Sequence, residues 1–130
     1  MQKVPVISII DDDESIRIAT KSLVRSLGFS AYTFASADEF LTSPQMADTA
    51  CVISDVQMPN MSGIELQEHL IATGYRMPII FITAYPDENV RVRAMNAGAV
   101  CYLNKPFDLQ TLITCLGEAL KKNDGGISGH

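Results

Sequence analysis

The sequence predicts an α/β fold, in which a parallel β-sheet is covered by helices on both faces. Five short apolar runs alternate with five amphipathic stretches along the 130 residues. The apolar runs are rich in β-branched residues, which favour buried strands. The stretches between them repeat apolar residues with helical spacing. Strict alternation is typical of a parallel sheet with right-handed crossovers, although periodicity does not fix the strand order.

The first strand–helix unit begins near the N-terminus. Residues 4–10 are almost continuously apolar and predict a strand covered on both faces. Residues 14–27 predict a helix, and Gly28 is a suitable residue to end it. The predicted apolar face of this helix consists of Ile16, Ala19, Leu23 and Leu27.

The second and third units are each marked by a sequence that favours a helix start. Ser36 with Glu39, and Ser62 with Glu65, have the spacing of a capping box, in which the serine and the acidic residue each cap the other's backbone N–H. The first box predicts a short helix through residue 41, and the second predicts a helix that ends before Gly74. The strands that precede them are predicted at residues 30–34 and 50–54.

The last two units are followed by a glycine-containing tail. The strands are predicted at residues 78–82 and 99–103, and the helices at 87–97 and 108–122. The last helix has the clearest periodicity, through Leu109, Leu112, Ile113, Leu116 and Leu120. Residues 123–130 contain three glycines and no periodicity. We therefore predict one domain over residues 1–122 and a flexible C-terminal linker over residues 123–130.

The charge of the chain excludes some classes of partner. The net charge is −5, and an acidic surface repels phosphate backbones, so we expect this segment not to bind nucleic acid. No apolar stretch approaches the roughly 20 residues that span a bilayer. The N-terminus enters an apolar run directly, without the pattern of a signal peptide. We therefore expect a cytoplasmic protein that does not bind membranes.

The chain contains three cysteines, Cys51, Cys101 and Cys115. An odd number without close spacing argues against a disulfide framework or a zinc site. We expect all three to be small, buried apolar side chains.

Polar residues follow the predicted strands at the points where those strands end. Asp11 and Asp12 follow the first strand, Asp55 the third, Thr83 the fourth and Lys105 the fifth. Ligands of open parallel sheets bind at the carboxyl ends of the strands. We therefore expect these side chains to meet at one edge of the sheet.

The three consecutive aspartates indicate a cation site. Asp13 is well placed to cap the first helix, but capping does not explain Asp11 and Asp12. Neighbouring carboxylates raise one another's pKa unless a cation intervenes, and a hard divalent cation such as Mg²⁺ binds carboxylate oxygens. Asp55 is then either a turn-forming residue or a third carboxylate, and an aspartate can also carry an acyl phosphate.

Lys105 is followed by proline, which restrains the backbone at the lysine. A surface lysine is the simplest interpretation, but its place after an apolar strand favours a phosphate partner. A cis Lys105–Pro106 bond is compatible with the sequence, which does not decide it. Thr83 supplies a hydroxyl donor and is a weak signal by itself.

Taken together, these motifs resemble the receiver domains of two-component response regulators, and look closest to FixJ-type transcription regulators. The resemblance covers about residues 4–120, and the combination is specific although no single element is. It implies a single CheY-like (flavodoxin-like) (βα)5 domain with strand order 2-1-3-4-5. The matching elements are Asp11-Asp12, Asp55 with Met58-Pro59 and Ser62-Gly63, Thr83-Ala84, and Lys105-Pro106-Phe107.

The resemblance implies a phosphorylation site that uses Mg²⁺. Asp55 would accept a phosphoryl group from a sensor histidine kinase. Asp11 and Asp12 would hold Mg²⁺ with Asp55, and the backbone carbonyl of Gln57 would complete the protein ligands. Lys105 would pair with a phosphoryl oxygen.

The resemblance also implies a switch that controls a partner. Thr83 would move to hydrogen-bond the phosphoryl group, and Tyr102 would turn inward, which changes the surface of the fourth helix, fifth strand and fifth helix. A half-buried strand tyrosine remains the plain alternative for Tyr102. FixJ-type relatives carry a C-terminal DNA-binding output domain, so transcription is the implied output. Whether the active form dimerises through this surface stays open.

Three other functions compete with this hypothesis. A phosphatase with an aspartyl-phosphate intermediate would need an acid or base two residues after the nucleophile, where this chain has Gln57. A flavin-binding protein would need a phosphate loop, which the sequence lacks. An interaction module that works without phosphorylation would not need the full set of polar residues. We therefore expect a phosphoacceptor domain rather than an enzyme, with the interaction module as the alternative.

Overall fold

The computed structural model of the chain describes residues 4–127. Its strands form one parallel sheet in the order β2-β1-β3-β4-β5, which confirms the predicted α/β fold and the strand order that the resemblance implied. The strands are β1 (Val6–Ile10), β2 (Ser30–Phe34), β3 (Cys51–Asp55), β4 (Ile79–Thr83) and β5 (Cys101–Asn104).

Five α-helices cover the two faces of the sheet, and one 3-10 turn (Met46–Asp48) precedes β3. Two apolar cores result, one on each face. The first core lies under α1 and α5, and the second lies under α2, α3 and α4. The helices are α1 (Glu14–Ser26), α2 (Ala37–Leu41), α3 (Gly63–Ala72), α4 (Glu88–Asn96) and α5 (Leu109–Ile127).

The central strands explain why the apolar runs are continuous. Every residue of β3 and of β4 is buried. Because successive strand residues face opposite sides of a sheet, burial on both sides requires apolar residues at nearly every position. Ser54, Asp55 and Thr83 are polar exceptions on these strands, and all three lie at or near the carboxyl ends.

The capping box at α3 forms as predicted, with Ser62 and Glu65 each accepting from the other's backbone N–H. The box at α2 is only half formed. Ser36 accepts from the N–H of Glu39, but the Glu39 carboxylate accepts from the N–H of Ala35. Asp13 caps α1 through the N–H groups of Ser15 and Ile16.

Two helices differ from the predictions in detail. The buried stripe of α1 is centred on Thr20 and Val24, while Ala19 is exposed. Residues four apart share one face of a helix, so this stripe is rotated slightly from the predicted one. Helix α5 continues to Ile127, beyond the predicted end at residue 122. Extending an existing helix costs less than starting one. Residues 128–130 of the predicted linker lie outside the described residues, and the domain boundary stays a prediction.

The expectation for two of the cysteines is wrong. Cys101 on β5 and Cys115 on α5 are joined by a disulfide, with Cα atoms 6.2 Å apart. The fold brings them together because α5 packs on β3 and β4 and β5 is the strand next to β4, a proximity that sequence spacing does not reveal. Cys51 is free and buried, as expected. Within residues 4–127, no helix is long and apolar enough to cross a membrane.

Candidate functional site

The polar residues predicted to meet do lie at the carboxyl edge of the sheet. Asp11 comes directly after β1 and Lys105 directly after β5, while Asp55 and Thr83 are the last residues of β3 and β4. The parallel pairing aligns these strand ends, because all five strands run in the same direction.

Three carboxylates form a compact acidic cluster at this edge. Asp11, Asp12 and Asp55 each offer an oxygen, and these oxygens lie within 4.8 Å of one another. Asp11 is fully buried, Asp55 is 6% exposed, and Asp12 is open to solvent. Oxygen donors of this kind suit a hard divalent cation, and the exposed Asp12 leaves a path for its entry.

The ammonium group of Lys105 lies between two of these carboxylates. Its Nζ donates to Asp11 Oδ2 at 3.0 Å and lies 3.6 Å from Asp55 Oδ2. Burial lowers the pKa of Lys105, but the bond to Asp11 and the charges of Asp11 and Asp55 outweigh it and leave the pKa raised. Lys105 is therefore positively charged at neutral pH. The Lys105–Pro106 peptide bond is cis.

The Asp55 carboxyl has a raised pKa. Burial is the main cause, and the negative charge of Asp11 adds to it. The charge of Lys105 and the N–H of Gln57, 3.4 Å from Asp55 Oδ1, oppose the rise. Gln57 thus contacts Asp55 through its backbone N–H, and its side chain does not enter the described contacts of the cluster.

Asp11 is fixed in place by three further hydrogen bonds. The N–H of Asp13 donates to Asp11 Oδ1 at 2.9 Å, and the backbone N–H of Asp11 donates to the carbonyl of Phe34 at 3.1 Å. Arg17 Nη1 donates to the Asp11 carbonyl at 2.7 Å. Arg17 was not among the predicted site residues, although its position one helical turn after the cap residue Asp13 places it near the cluster.

Gly63 allows α3 to begin against the end of β3. A Cβ atom at this position would lie 2.3 Å from the carbonyl oxygen of Asp55 and 3.2 Å from the Cα of Val56. The Gly63 N–H donates to the Val56 carbonyl at 2.8 Å. The backbone that carries Asp55 therefore excludes any side chain at residue 63.

The predicted switch residues Thr83 and Tyr102 lie on neighbouring strands, Thr83 at the end of β4 and Tyr102 within β5. Thr83 is fully buried, and its Oγ1 accepts from the N–H of Tyr85 at 3.0 Å. The N–H of Lys105 donates to the Thr83 carbonyl at 2.8 Å, which joins the ends of β4 and β5. Tyr102 is partly buried against the core under α4, and burial raises the pKa of its hydroxyl. The backbone N–H of Asp87 lies close enough to oppose this rise, although within the described part of the chain it does not reach full hydrogen-bonding geometry with the buried hydroxyl.

The charges of the cluster define its chemistry. Three ionised carboxylates and one ammonium leave a formal charge of −2, which a divalent cation would neutralise. A carboxylate beside bound positive charge can attack an electrophilic phosphorus atom. The geometry thus suits a cation-assisted reaction with a phosphorylated donor.

The chain matches the family described as response regulator receiver domain over residues 7–116. Response regulator protein TodT of Pseudomonas putida is 43% identical over 116 residues, which are 89% of this chain and 51% of that protein. Transcriptional regulatory protein FixJ of Azorhizobium caulinodans is 35% identical, over 90% of this chain and 56% of that protein. The solved structure of response regulator StyR is 41% identical with a TM-score of 0.89, over 97% of this chain and 64% of that one. The chain thus spans about half the length of these curated relatives.

Proposed function

The chain belongs to the response regulator receiver domain family, and on this premise we propose that Asp55 accepts a phosphoryl group from a sensor histidine kinase. The observation that carries the proposal is the position of Lys105, whose ammonium contacts both Asp11 and Asp55 in a buried acidic cluster. A structural ion pair would need only one of these carboxylates. Together with Asp12, these carboxylates supply the oxygen ligands that a metal-assisted phosphoacceptor requires.

Mg²⁺ is the cation that this donor set fits. Asp11, Asp12 and Asp55 supply carboxylate oxygens, and Mg²⁺ commonly binds one or two carboxylates together with phosphate oxygens and water. The backbone carbonyl of Gln57 would be the further protein ligand that the family resemblance implies. When bound, Mg²⁺ would supply positive charge against the phosphoryl oxygens.

The chain's own residues have distinct roles in the transfer. An ionised Asp55 oxygen attacks phosphorus, a new P–O bond forms, and the bond from phosphorus to the donor nitrogen breaks as the donor leaves. Lys105 balances the charge of the phosphoryl oxygens, which its place between the two carboxylates favours. Asp11, held by Asp13 and Arg17, keeps the ammonium in place. The domain is thus a phosphoacceptor that assists its own modification, not an enzyme with a separate substrate.

Phosphorylation would act as a switch through Thr83 and Tyr102. The added group carries about −1.5 to −2 of charge and new acceptor oxygens. Thr83 lies at the same strand edge, and because its Oγ1 only accepts from the N–H of Tyr85, its hydroxyl proton is available to donate to one of them. The buried Tyr102 hydroxyl forms no complete hydrogen bond among the described residues, although the Asp87 backbone lies near it, so a rearrangement can improve its contacts. This change would alter the face formed by α4, β5 and α5.

The output is transcriptional in this proposal. FixJ is a transcriptional regulatory protein, and the matched residues of this chain make up only about half of the curated relatives. The α4-β5-α5 face would control a DNA-binding domain, or pair two copies of the chain, while the acidic receiver itself leaves DNA unbound. Because histidine kinases draw their phosphoryl group from ATP, we place the domain in the cytoplasm.

Incubation with acetyl phosphate and Mg²⁺, followed by intact mass measurement, tests this proposal. We expect the wild-type chain to gain the mass of one phosphoryl group. We expect no gain when EDTA is present, and none in Asp55→Asn. Asp48→Asn, at an exposed position away from the cluster, is the matched control and should label normally. Equal labelling of Asp55→Asn would remove Asp55 from its role. If no form of the chain gains a phosphoryl group, even with a histidine kinase as donor, the result would favour an interaction module that works without phosphorylation.

A further inference from the structure

Cys101 and Cys115 connect the last strand to the last helix. They are joined by a disulfide, and their Cα separation of 6.2 Å lies in the usual range for such a bond. Cys101 is partly exposed and packs in the core under α1 and α5, whereas Cys115 is 4% exposed. Burial raises the pKa of the third cysteine, Cys51, to about 12, so its thiol stays protonated and unreactive at neutral pH.

We propose that Cys101 and Cys115 form a reversible redox site that limits the switch motion, and this regulatory consequence rests on the proposed function. Disulfides of cytoplasmic proteins are usually transient, catalytic or redox-sensing rather than structural. This pair joins a partly exposed residue, Cys101, to a buried one, Cys115, so a small oxidant would meet Cys101 first. That arrangement is typical of an attacking and a resolving cysteine.

The oxidant in this proposal is a hydroperoxide. With hydrogen peroxide, the Cys101 thiolate attacks one peroxide oxygen and the O–O bond breaks. The products are Cys101 sulfenic acid and one water molecule. The Cys115 sulfur then attacks the Cys101 sulfur, the S–S bond forms, and the S–O bond breaks with release of a second water. The two thiols lose two electrons and two protons in total. A dithiol reductant reverses the bond by thiol–disulfide exchange and is itself oxidised to a disulfide.

The position of the bond gives it a consequence for the switch. It closes a segment with a sequence separation of 14, and that segment contains both Tyr102 and Lys105. Cys101 and Tyr102 are neighbours on β5 that pack in opposite cores. In the oxidised chain β5 is tied to α5, so β5 has less freedom to move when Tyr102 repacks. Oxidation should therefore leave the phosphoryl site intact and reduce the structural response.

Counting free thiols tests the redox site without any use of phosphorylation. The purified protein is treated with hydrogen peroxide or with dithiothreitol, denatured, and alkylated with N-ethylmaleimide before mass measurement. We expect one adduct after peroxide and three after dithiothreitol, because only Cys51 stays free when the bond forms. After peroxide, Cys51→Ala should carry no adduct, because its two remaining cysteines form the disulfide. Cys101→Ser cannot form that bond and should keep two adducts after peroxide. Three adducts after peroxide in the wild-type chain would overturn the proposal.

Hydrogen–deuterium exchange of the Tyr102 peptide, before and after acetyl phosphate with Mg²⁺, tests the consequence. Phosphorylation should change the exchange of this peptide in both forms. We expect the change in the oxidised chain to be at most about half of that in the reduced chain. An equal change in both forms would overturn the regulatory role. A chain that forms the disulfide but takes no phosphoryl group in either form would contradict the proposed function and, with it, this regulatory role, while the redox site itself would stand.

Discussion

The ammonium of Lys105 lies 3.0 Å from Asp11 and 3.6 Å from Asp55, although 94 residues separate Lys105 from Asp11. Both contacts depend on the parallel sheet, which brings the ends of β1, β3 and β5 to one edge. This single ammonium offsets part of the repulsion between two buried carboxylates. Its charge is also available to the phosphoryl group in the proposed reaction.

Lys105→Ala should slow phosphorylation without preventing folding. Loss of one positive group from the reacting cluster should reduce the initial rate of labelling by acetyl phosphate by roughly 100-fold. Circular dichroism should show a folded chain. Lys121→Ala removes an exposed lysine from α5 and is the matched control, with an unchanged rate expected. A wild-type rate in Lys105→Ala would argue against its role in neutralising the phosphoryl charge.

Mg²⁺ should stabilise the folded chain through the acidic cluster. A ligand that binds only the folded state adds about 2.7 kcal/mol at one hundred times its Kd. Thermal unfolding should therefore shift to higher temperature as MgCl₂ is added. Asp12→Asn should remove most of this shift and little basal stability, because Asp12 is exposed. Asp48→Asn should keep the shift, and an undiminished shift in Asp12→Asn would place the cation elsewhere.

Asp55→Asn should raise the free energy of unfolding of the metal-free chain at neutral pH. Burial and Asp11 raise the pKa of Asp55, so its ionised form opposes folding. The penalty is fully present above the raised pKa, shrinks as pH falls through it, and is gone below the ordinary value of 3.8. Urea unfolding of both chains across this window measures the difference. If the stability advantage of Asp55→Asn over the wild-type chain instead grew toward acidic pH, the pKa of Asp55 would be lowered in the folded chain, not raised.

Gly63→Ala should be strongly destabilising. The new Cβ would meet the Asp55 carbonyl oxygen, which is backbone and moves only with the end of β3. We expect a loss of about 2 kcal/mol or more in unfolding free energy, and weaker phosphorylation. Gly117→Ala is the matched control, since nothing lies within 4 Å of its Cβ and it is an exposed helical position. That change should stabilise the chain by about 0.5–1 kcal/mol. Equal stability of the two variants would contradict the observed packing.

The sequence was sufficient for the sheet and for the polar edge, because both follow from local signals. Apolar runs mark the strands, and parallel pairing then brings Asp11, Asp55 and Lys105 to one edge. The resemblance, rather than periodicity, supplied the strand order and the residue roles. The bond between Cys101 and Cys115 was not predictable, because it depends on how α5 packs on the sheet. The contact of Arg17 with the Asp11 carbonyl depends on a side-chain rotamer, which spacing alone leaves open.

The position of the phosphoryl group tests the central claim most directly. The chain is labelled with acetyl phosphate and Mg²⁺, then reduced with sodium borohydride, which converts an aspartyl phosphate into homoserine. Tandem mass spectrometry of the peptides locates the altered residue. We predict homoserine at position 55, with Asp11 and Asp12 unchanged. Homoserine at position 11 or 12 instead, or a phosphoryl group that resists borohydride, would contradict the assignment of Asp55 as the phosphoacceptor.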